Sequence, residues 1–441
     1  MPLNTQQQNA LETSLEGKSL FITGPGGVGK SYLIQTIVEE LIKKGKKVAV
    51  TALTGCAALL LNVNISSKRQ ADATAAKTLH SWAGIGLGKE PAQKIAAGMR
   101  KYNYKAMRRW LLTHTLIIDE VSMLTPDLLE KLNEVAQLMR KSKAVFGGLQ
   151  VILVGDFFQL PPVYREGETM FAFESPLWNE LQLKTVELTE IVRQDNPVFH
   201  EVLKEARSGN LSKKSIDVLK TRILDSWQEL KIRPTLLFSR RSEVEMINER
   251  NIKALKSPLY TFEAKTVLTA SLEMNLSNEE KDRAVQKLDR DAPYKTILEL
   301  RVGAQVMLIY NLDPDSGLVN GSRGIIEGFS GTSPLVLFKG HSAAIPVPEA
   351  SWESDDVDGL KRSQIPLILA YAITIHKCQG ATLDSALIDI GRSTFEMGQA
   401  YVALSRVKSL DSLYIYELEP SAFKAHPKVV EFYSKILQSR L

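Results

Sequence analysis

Gly24-Pro25-Gly26-Gly27-Val28-Gly29-Lys30-Ser31 decides the fold of this chain. The run satisfies G-x-x-x-x-G-K-[ST] at each fixed position, and its flanks give the match meaning. Residues 19–23 make a stretch with an apolar centre, Leu20-Phe21-Ile22, and read as a strand leading in. Lys30 to Lys44 then carries Leu33, Ile34, Ile37, Val38, Leu41 and Ile42 at helical spacing and stops at Gly45. Strand, glycine loop and helix N-terminus together form an anion trap. Glycine lets the backbone N–H groups point inward, and the helix dipole adds positive potential. Lys30 would reach the β- and γ-phosphates, and the Ser31 hydroxyl would ligate Mg²⁺. The chain is expected to bind a nucleoside triphosphate.

At 441 residues the chain is too long for one ordinary domain, and roughly two to four are expected. Its 44% hydrophobic and 24% charged content is that of a soluble globular protein. A net charge of +5 favours a polyanionic partner only weakly. Cys56 and Cys378, the two cysteines, give no disulfide framework and fit a reducing compartment. No N-terminal signal pattern or long apolar run occurs, so a soluble, cytoplasmic protein is expected, with the nucleus as the alternative site.

Residues 1–190 alternate strand-like and helix-like patterns, as a parallel sheet with crossover helices does. Strands are expected at Val48–Leu53, Thr115–Asp119 and Val151–Gly155. A second alternation starts near Pro234–Phe238, with a helix from Ser242 through Leu255, and resumes from Ile365 to Tyr416. Between them, Leu298–Val347 is strand-rich with glycine turns and reads as a small inserted β-barrel. The polar stretch Ser277–Arg290 reads as an exposed helix or a mobile segment.

Thr115-Leu-Ile-Ile-Asp119-Glu120 ends an apolar strand in two acids. Beside a phosphate loop, Asp119 would hold Mg²⁺ through water, and Glu120 would orient and deprotonate the attacking water. A third strand runs into Gly155-Asp156-Phe157-Phe158-Gln159, where Gln159 suits a γ-phosphate sensor. Arg193 and Arg406 each stand at the edge of an apolar element and are candidate arginine fingers, with a surface ion pair as the plainer reading. The run Arg100–Trp110 interleaves bases and aromatics. On one helix Lys101, Lys105 and Arg108 or Arg109 would share a face, either a nucleic-acid surface or a solvated one.

These residues resemble a superfamily-one helicase, and more narrowly the PIF (petite integration frequency) branch, related to the RecD and Dda helicases. Leu3–Ala10 resembles the adenine-reading Q element through Gln7. Thr51–Ala58 resembles motif Ia, and Thr78–Gly86 the DNA-binding element after it. Asp119–Met123 and Gly155–Val163 correspond to motifs II and III. Leu300–Leu308 and Leu318–Ser322 resemble the inserted SH3-like barrel. Ala370–Asp384 resembles motif V and Gly398–Arg406 motif VI; these last two strings are the most diagnostic, because a generic phosphate-loop protein has no use for them. Arg109-Trp110 fits the branch's signature segment. Gln6 stands where many relatives have Glu, and Cys378 where many have Ser.

The resemblance implies an α/β fold of two RecA-like parallel-sheet domains with a small inserted SH3-like β-barrel. The first would span 1–190, with a small DNA-splitting insertion and the signature segment around 64–115. The second would span 191–296 and 366–441, with the barrel at 297–365. ATP would lie between the two domains, with Tyr32 and Gly380 among its contacts and with Arg193 and Arg406 reaching it from across the cleft. Thr54, Gly55, His80, Asn320, Thr374, His376 and Lys377 would line the single-strand channel. Phe157 or Phe158 would meet a base face, Phe158 being the one assigned to DNA.

The implied activity is ATP- and Mg²⁺-dependent 5′→3′ unwinding of duplex DNA and of G-quadruplexes, in replication, repair or recombination. The partners would be single-stranded and forked DNA, the enzyme acting as a monomer or a transient dimer on DNA. Three other readings compete. A guanine-nucleotide switch needs an N-K-x-D element, which is absent from the sequence. A single-strand-binding module with a vestigial ATP site conflicts with the intact acidic pair and arginines. A RecD-like subunit of a nuclease complex would need its nuclease from a partner.

Overall fold

In the computed structural model, described for residues 2–61, 76–86, 88–162, 168–194, 196–269, 277–313, 316–354, 357, 359–391, 394, 396–438, the chain divides into two compact units. One comprises Met1–Ile216, Phe395–Ser405 and Pro420–Leu441; the other comprises Asp217–Thr394 and Arg406–Glu419. The first unit thus runs past residue 190 and recovers two C-terminal pieces that the sequence reading placed in the second domain. Residues 64–75 and Val163, which belong to the expected insertion and motif III, lie outside the described residues.

The first unit is built on six parallel strands: β1 (Leu20–Thr23), β2 (Val48–Ala52), β3 (Lys77–Thr78), β4 (Thr115–Asp119), β5 (Gln150–Val154) and β6 (Lys184–Glu187). Their order is β3-β2-β4-β5-β1-β6. The central strands are unbroken apolar runs because both faces are covered. Leu20, Ile22, Val50, Ile117 and Ile152 pack into one core; Phe21, Ala49, Leu116, Ile118 and Val151 pack into the other. The first core is closed by α1 (Thr5–Leu15) and α2 (Lys30–Lys43), which bury the expected Leu33, Ile34, Ile37, Val38 and Leu41. The second is closed by helices including Pro126–Arg140 and the C-terminal Pro427–Gln438, whose Val429 and Tyr433 enter it.

The Arg100–Trp110 run does not form one helix. Asn103 separates Ala92–Tyr102 from Tyr104–Leu112 and caps the second by accepting from Ala106 N–H at 3.0 Å. Lys101 and Lys105 therefore do not share a continuous face, and Arg109 is committed to the Ser81 and Trp82 carbonyls. Trp110 is fully buried, 4.6 Å from the Trp82 ring, and its indole N–H donates to the Ala83 carbonyl. This segment holds the short helix Leu79–Ala83 against the sheet. Trp110→Ala should cost about 3–5 kcal/mol in urea unfolding, the range for deleting a buried aromatic.

The second unit begins its own parallel sheet with β7 (Thr235–Phe238). The chain then leaves it for β8 (Tyr260–Glu263), β9 (Lys265–Leu268), β10 (Ile297–Leu300), β11 (Gln305–Leu308), β12 (Arg323–Ser330), β13 (Ser333–Phe338), β14 (Ile345–Pro346), β15 (Ala350–Glu353), β16 (Leu360–Gln364) and β17 (Leu367–Leu369). It returns as β18 (Ala372–Thr374), β19 (Ala386–Ile390) and β20 (Leu413–Leu418), giving the parallel order β18-β7-β19-β20.

The excursion differs from a single barrel over 297–365. Among the described residues it pairs as an open sheet β14-β13-β12-β11-β17, a sheet β15-β16-β9 and a pair β10-β8, with no strand closing the first on itself. It also starts earlier than expected, since β8 and β9 pair with β10 and β16. The glycine turns and alternating residues were readable locally; which edges meet was not. Ser277–Arg290 is helical, from Asn278 to Asp291 behind a Ser277 capping box. Among the described residues no helix is long and apolar enough to cross a membrane.

Candidate nucleotide-hydrolysis site and strand-binding loops

In a parallel sheet, loops at the carboxyl ends of neighbouring strands converge. Here β1, β5 and β4 are adjacent and end in the phosphate loop, in Gly155-Asp156 and in Asp119-Glu120 respectively. The loop wraps tightly: Gly27 has φ +91°, and a Cβ there would lie 2.8 Å from the Arg193 Cβ. Val28 is fully buried. Gly29 caps α2 in the left-handed conformation and leaves the helix N-terminus facing the loop. Lys30 is half-buried and donates to the Gly24 and Pro25 carbonyls at 2.7 and 2.9 Å. Burial draws its pKa down, and the carboxylates of Asp156, Glu120 and Asp119 oppose that. Ser31 and Tyr32 are exposed at the start of α2.

Gln7 is the residue expected to read adenine. It is buried, closes the capping box of α1 with Asn4, and donates to the Val28 carbonyl at 3.3 Å. Asp119 and Glu120 are both buried at the end of β4. Glu120 holds φ 56° and ψ 43°, a left-handed conformation uncommon for this residue and of the kind concentrated at working sites. Burial, followed by the neighbouring Glu120 carboxylate, pushes the Asp119 pKa up to about 7. Two acids crowded together with one resisting ionisation form a place where a cation stabilises. With the Ser31 hydroxyl they supply the hard oxygen donors that suit Mg²⁺. No group of three or more His, Cys, Asp or Glu that could hold a metal exists among the described residues.

Gln159 is buried, its N–H bonded to the Asp156 carbonyl. Asp156, read from sequence as no more than a motif position, is the hub of the site. Its fully buried carboxylate takes a bidentate pair from Arg207 at 2.9 and 2.8 Å, and it lies 3.3 and 3.4 Å from the Tyr401 and Tyr433 hydroxyls. Tyr433 Oη also meets Thr23 Oγ1 at 2.5 Å and accepts from Phe157 N–H. Arg207 and Tyr433 were missed. Arg207 follows Leu203 by one turn on the buried stripe of Pro197–Ser208, a sign that its charge faces inward.

Two expectations need correcting. Phe158 does not offer a face to a base: both Phe157 and Phe158 are buried, and Phe158 stacks on Tyr433 at 4.9 Å with the Arg207 guanidinium 4.5 Å from its centroid. Arg193 does not come from the second unit. It lies in the first, its N–H bonded to the Gly27 carbonyl and its guanidinium to the Ser405 carbonyl at 3.0 Å.

The remaining strand-binding candidates fall on strand ends in both units. In the first, Thr54 follows β2 and caps the helix that Gly55 opens, accepting from Ala57 N–H. His80 lies just past β3 and is half-buried. In the second, Thr374 ends β18 and accepts from Lys377 N–H; His376 is half-buried and Lys377 exposed. Gly380 belongs to the same loop, and Arg406 donates to the Cys378 and Ala381 carbonyls within it. The Asn320–Gly321 turn approaches that loop at the Thr382 carbonyl. Thr374, His376, Lys377, Gly380, Asn320 and Arg406 are therefore one cluster within the second unit.

A phosphate loop, an acidic pair and a buried amide on adjacent strand ends place the chain among the P-loop α/β nucleotide-binding proteins. Residues 2–215 match the family model described as PIF1-like helicase, and residues 286–329 match the DNA helicase Pif1 2B domain. The ATP-dependent DNA helicase PIF1 of Homo sapiens is 36% identical over 99% of this chain, which spans 64% of that protein's length. The crystal structure of Pif1 helicase from Candida albicans aligns with a TM-score of 0.79 and 35% identity, over 99% of this chain and 100% of that one. Pif1 helicase from Bacteroides, solved in complex with ADP-AlF3 and ssDNA, aligns with a TM-score of 0.69 and 26% identity, over 100% of this chain and 98% of that one. The chain belongs to the PIF1-like helicase family.

Proposed function

We propose that this chain is the motor core of an ATP-dependent DNA helicase. The observation that carries the reading is the convergence of Lys30, Asp119, Glu120 and the Asp156–Gln159 loop at three adjacent strand ends. Lys30 and the loop N–H groups hold the phosphates. Glu120 takes the proton of the attacking water, and Gln159 orients that water against the γ-phosphate. Ser31 and Asp119 would hold Mg²⁺, which would supply positive charge to the phosphate oxygens. Arg193 and Arg406 have the charge-stabilising roles that the resemblance gives them.

Single-stranded DNA is the proposed track, as its presence with the Bacteroides relative supports. A translocating grip must release at each step. Hydroxyl and amide contacts from Thr54, Thr374 and Asn320 suit this better than a dense array of lysines, which would hold more tightly and depend more steeply on salt. Movement 5′→3′, G-quadruplex unwinding and action as a monomer are the finer proposals, resting on the family resemblance.

The test is hydrolysis with and without single-stranded DNA, beside unwinding of duplexes tailed at opposite ends. Stimulation of about 5- to 150-fold is expected, the span of ordinary coupling energies between two sites, with unwinding from the 5′ tail alone. Hydrolysis indifferent to DNA would sink the helicase reading and leave the nucleotide site standing. Unwinding from the 3′ tail would reverse the polarity alone.

A further inference from the structure

Helix Gln399–Leu404 is buried on all sides, and the Tyr401 ring is 1% exposed. A phenol so placed needs partners for its hydroxyl. Gly26 N–H donates to Tyr401 Oη at 2.8 Å, and Oη donates to Asp156 Oδ2 at 3.3 Å. The phosphate-loop peptide is thus linked through one hydroxyl to a carboxylate, and each bond in such a chain polarises the next. The acceptor is itself fixed, because Arg207 grips both oxygens of Asp156.

The same segment meets the site twice more. Gly398 has φ +78°, and a Cβ there would come within 2.5 Å of the Phe158 carbonyl and 2.8 Å of that of Gln159. The Ser405 carbonyl accepts from Arg193, whose own N–H is bonded to Gly27. Residues 398–405 are therefore tied to the phosphate loop and to the loop bearing Gln159. Of these ties, the Tyr401 hydroxyl alone spans both loops.

We propose that Tyr401 is a positioning residue for hydrolysis. Its hydroxyl holds the Gly26 peptide and the Asp156–Gln159 loop in one fixed relation, which sets where Gln159 stands against the γ-phosphate. The α- and β-phosphates are cradled by N–H groups further along the loop toward α2, so the hydroxyl contributes to turnover and not to holding a diphosphate. This rests on the ATP-hydrolysing reading above.

Tyr401→Phe keeps the ring and deletes the bridge. Small displacements of aligned groups lower rates steeply, and kcat for ATP should fall about tenfold, with the Kd for a fluorescent ADP analogue within about twofold of wild type. Unchanged kcat in Tyr401→Phe would overturn the proposal, as would an ADP Kd rising in step with the loss of kcat. A wild-type chain that fails to hydrolyse ATP would overturn the functional reading and this one together; wild-type activity with an unaffected Tyr401→Phe would remove this one alone.

Discussion

Lys30→Ala is expected to lower DNA-stimulated ATP hydrolysis by about 10²- to 10³-fold, the scale for removing one preorganised charge from a transition state. The reason lies in how the ammonium is held. It is half-buried and held by two loop carbonyls, which keep its charge within the phosphate loop. Burial weakens its hold on the proton, and phosphate would restore that hold by the same electrostatics that Asp156, Glu120 and Asp119 exert. Alanine removes the charge and leaves the glycine wrap and the α2 N-terminus, so nucleotide affinity should fall less than turnover. Steady-state hydrolysis beside equilibrium binding of a fluorescent ATP analogue separates the two effects. Full residual hydrolysis would mean that the phosphates bind elsewhere.

Glu120→Gln should leave ATP and DNA bound and reduce turnover by about 10²- to 10⁴-fold, the contribution of a positioned general base. Glutamine has the shape to occupy the buried, left-handed position, but it takes up no proton. A second consequence has a definite sign. The Glu120 charge is, after burial, the largest influence raising Asp119 to about 7. Neutralising it lowers the Asp119 pKa and favours the carboxylate. Mg²⁺-nucleotide binding near neutral pH should therefore be unchanged or tighter in the variant. Single-turnover hydrolysis and a Mg²⁺ titration of nucleotide binding measure both. Undiminished turnover would remove Glu120 as the base, and weaker Mg²⁺-nucleotide binding would contradict the electrostatic account of the acidic pair.

Much of the site was legible because its parts are local. A glycine-rich turn between an apolar strand and an amphipathic helix dictates its own conformation within a few residues. Two acids ending a buried run carry a desolvation cost wherever that run packs. The Arg100–Trp110 run misled because charge spacing was read without its breaker: Asn103 offers a side-chain cap, which competes with continuing the helix. Phe158 misled for another reason. An aromatic beside a glutamine at a strand end fits a base platform or a core plug equally, and the partner that decides is Tyr433, far along the chain.

By itself, the sequence determined the phosphate loop, the acidic strand end, the amide after β5, both parallel sheets and the two C-terminal motif strings, because each is written in contiguous spacing and local backbone preference. Tertiary structure decided the rest. Arg207 pairs with Asp156 across 51 residues, Tyr401 Oη reaches the phosphate loop across 375, and Tyr433 meets Thr23 across 410. It also set the boundary of the first unit, which runs to Ile216 and takes back Pro420–Leu441. The physical reason is common to all of them. A buried charge or hydroxyl must find a partner, but which partner depends on the surfaces that the packed elements bring together, and that information belongs to no single stretch of chain.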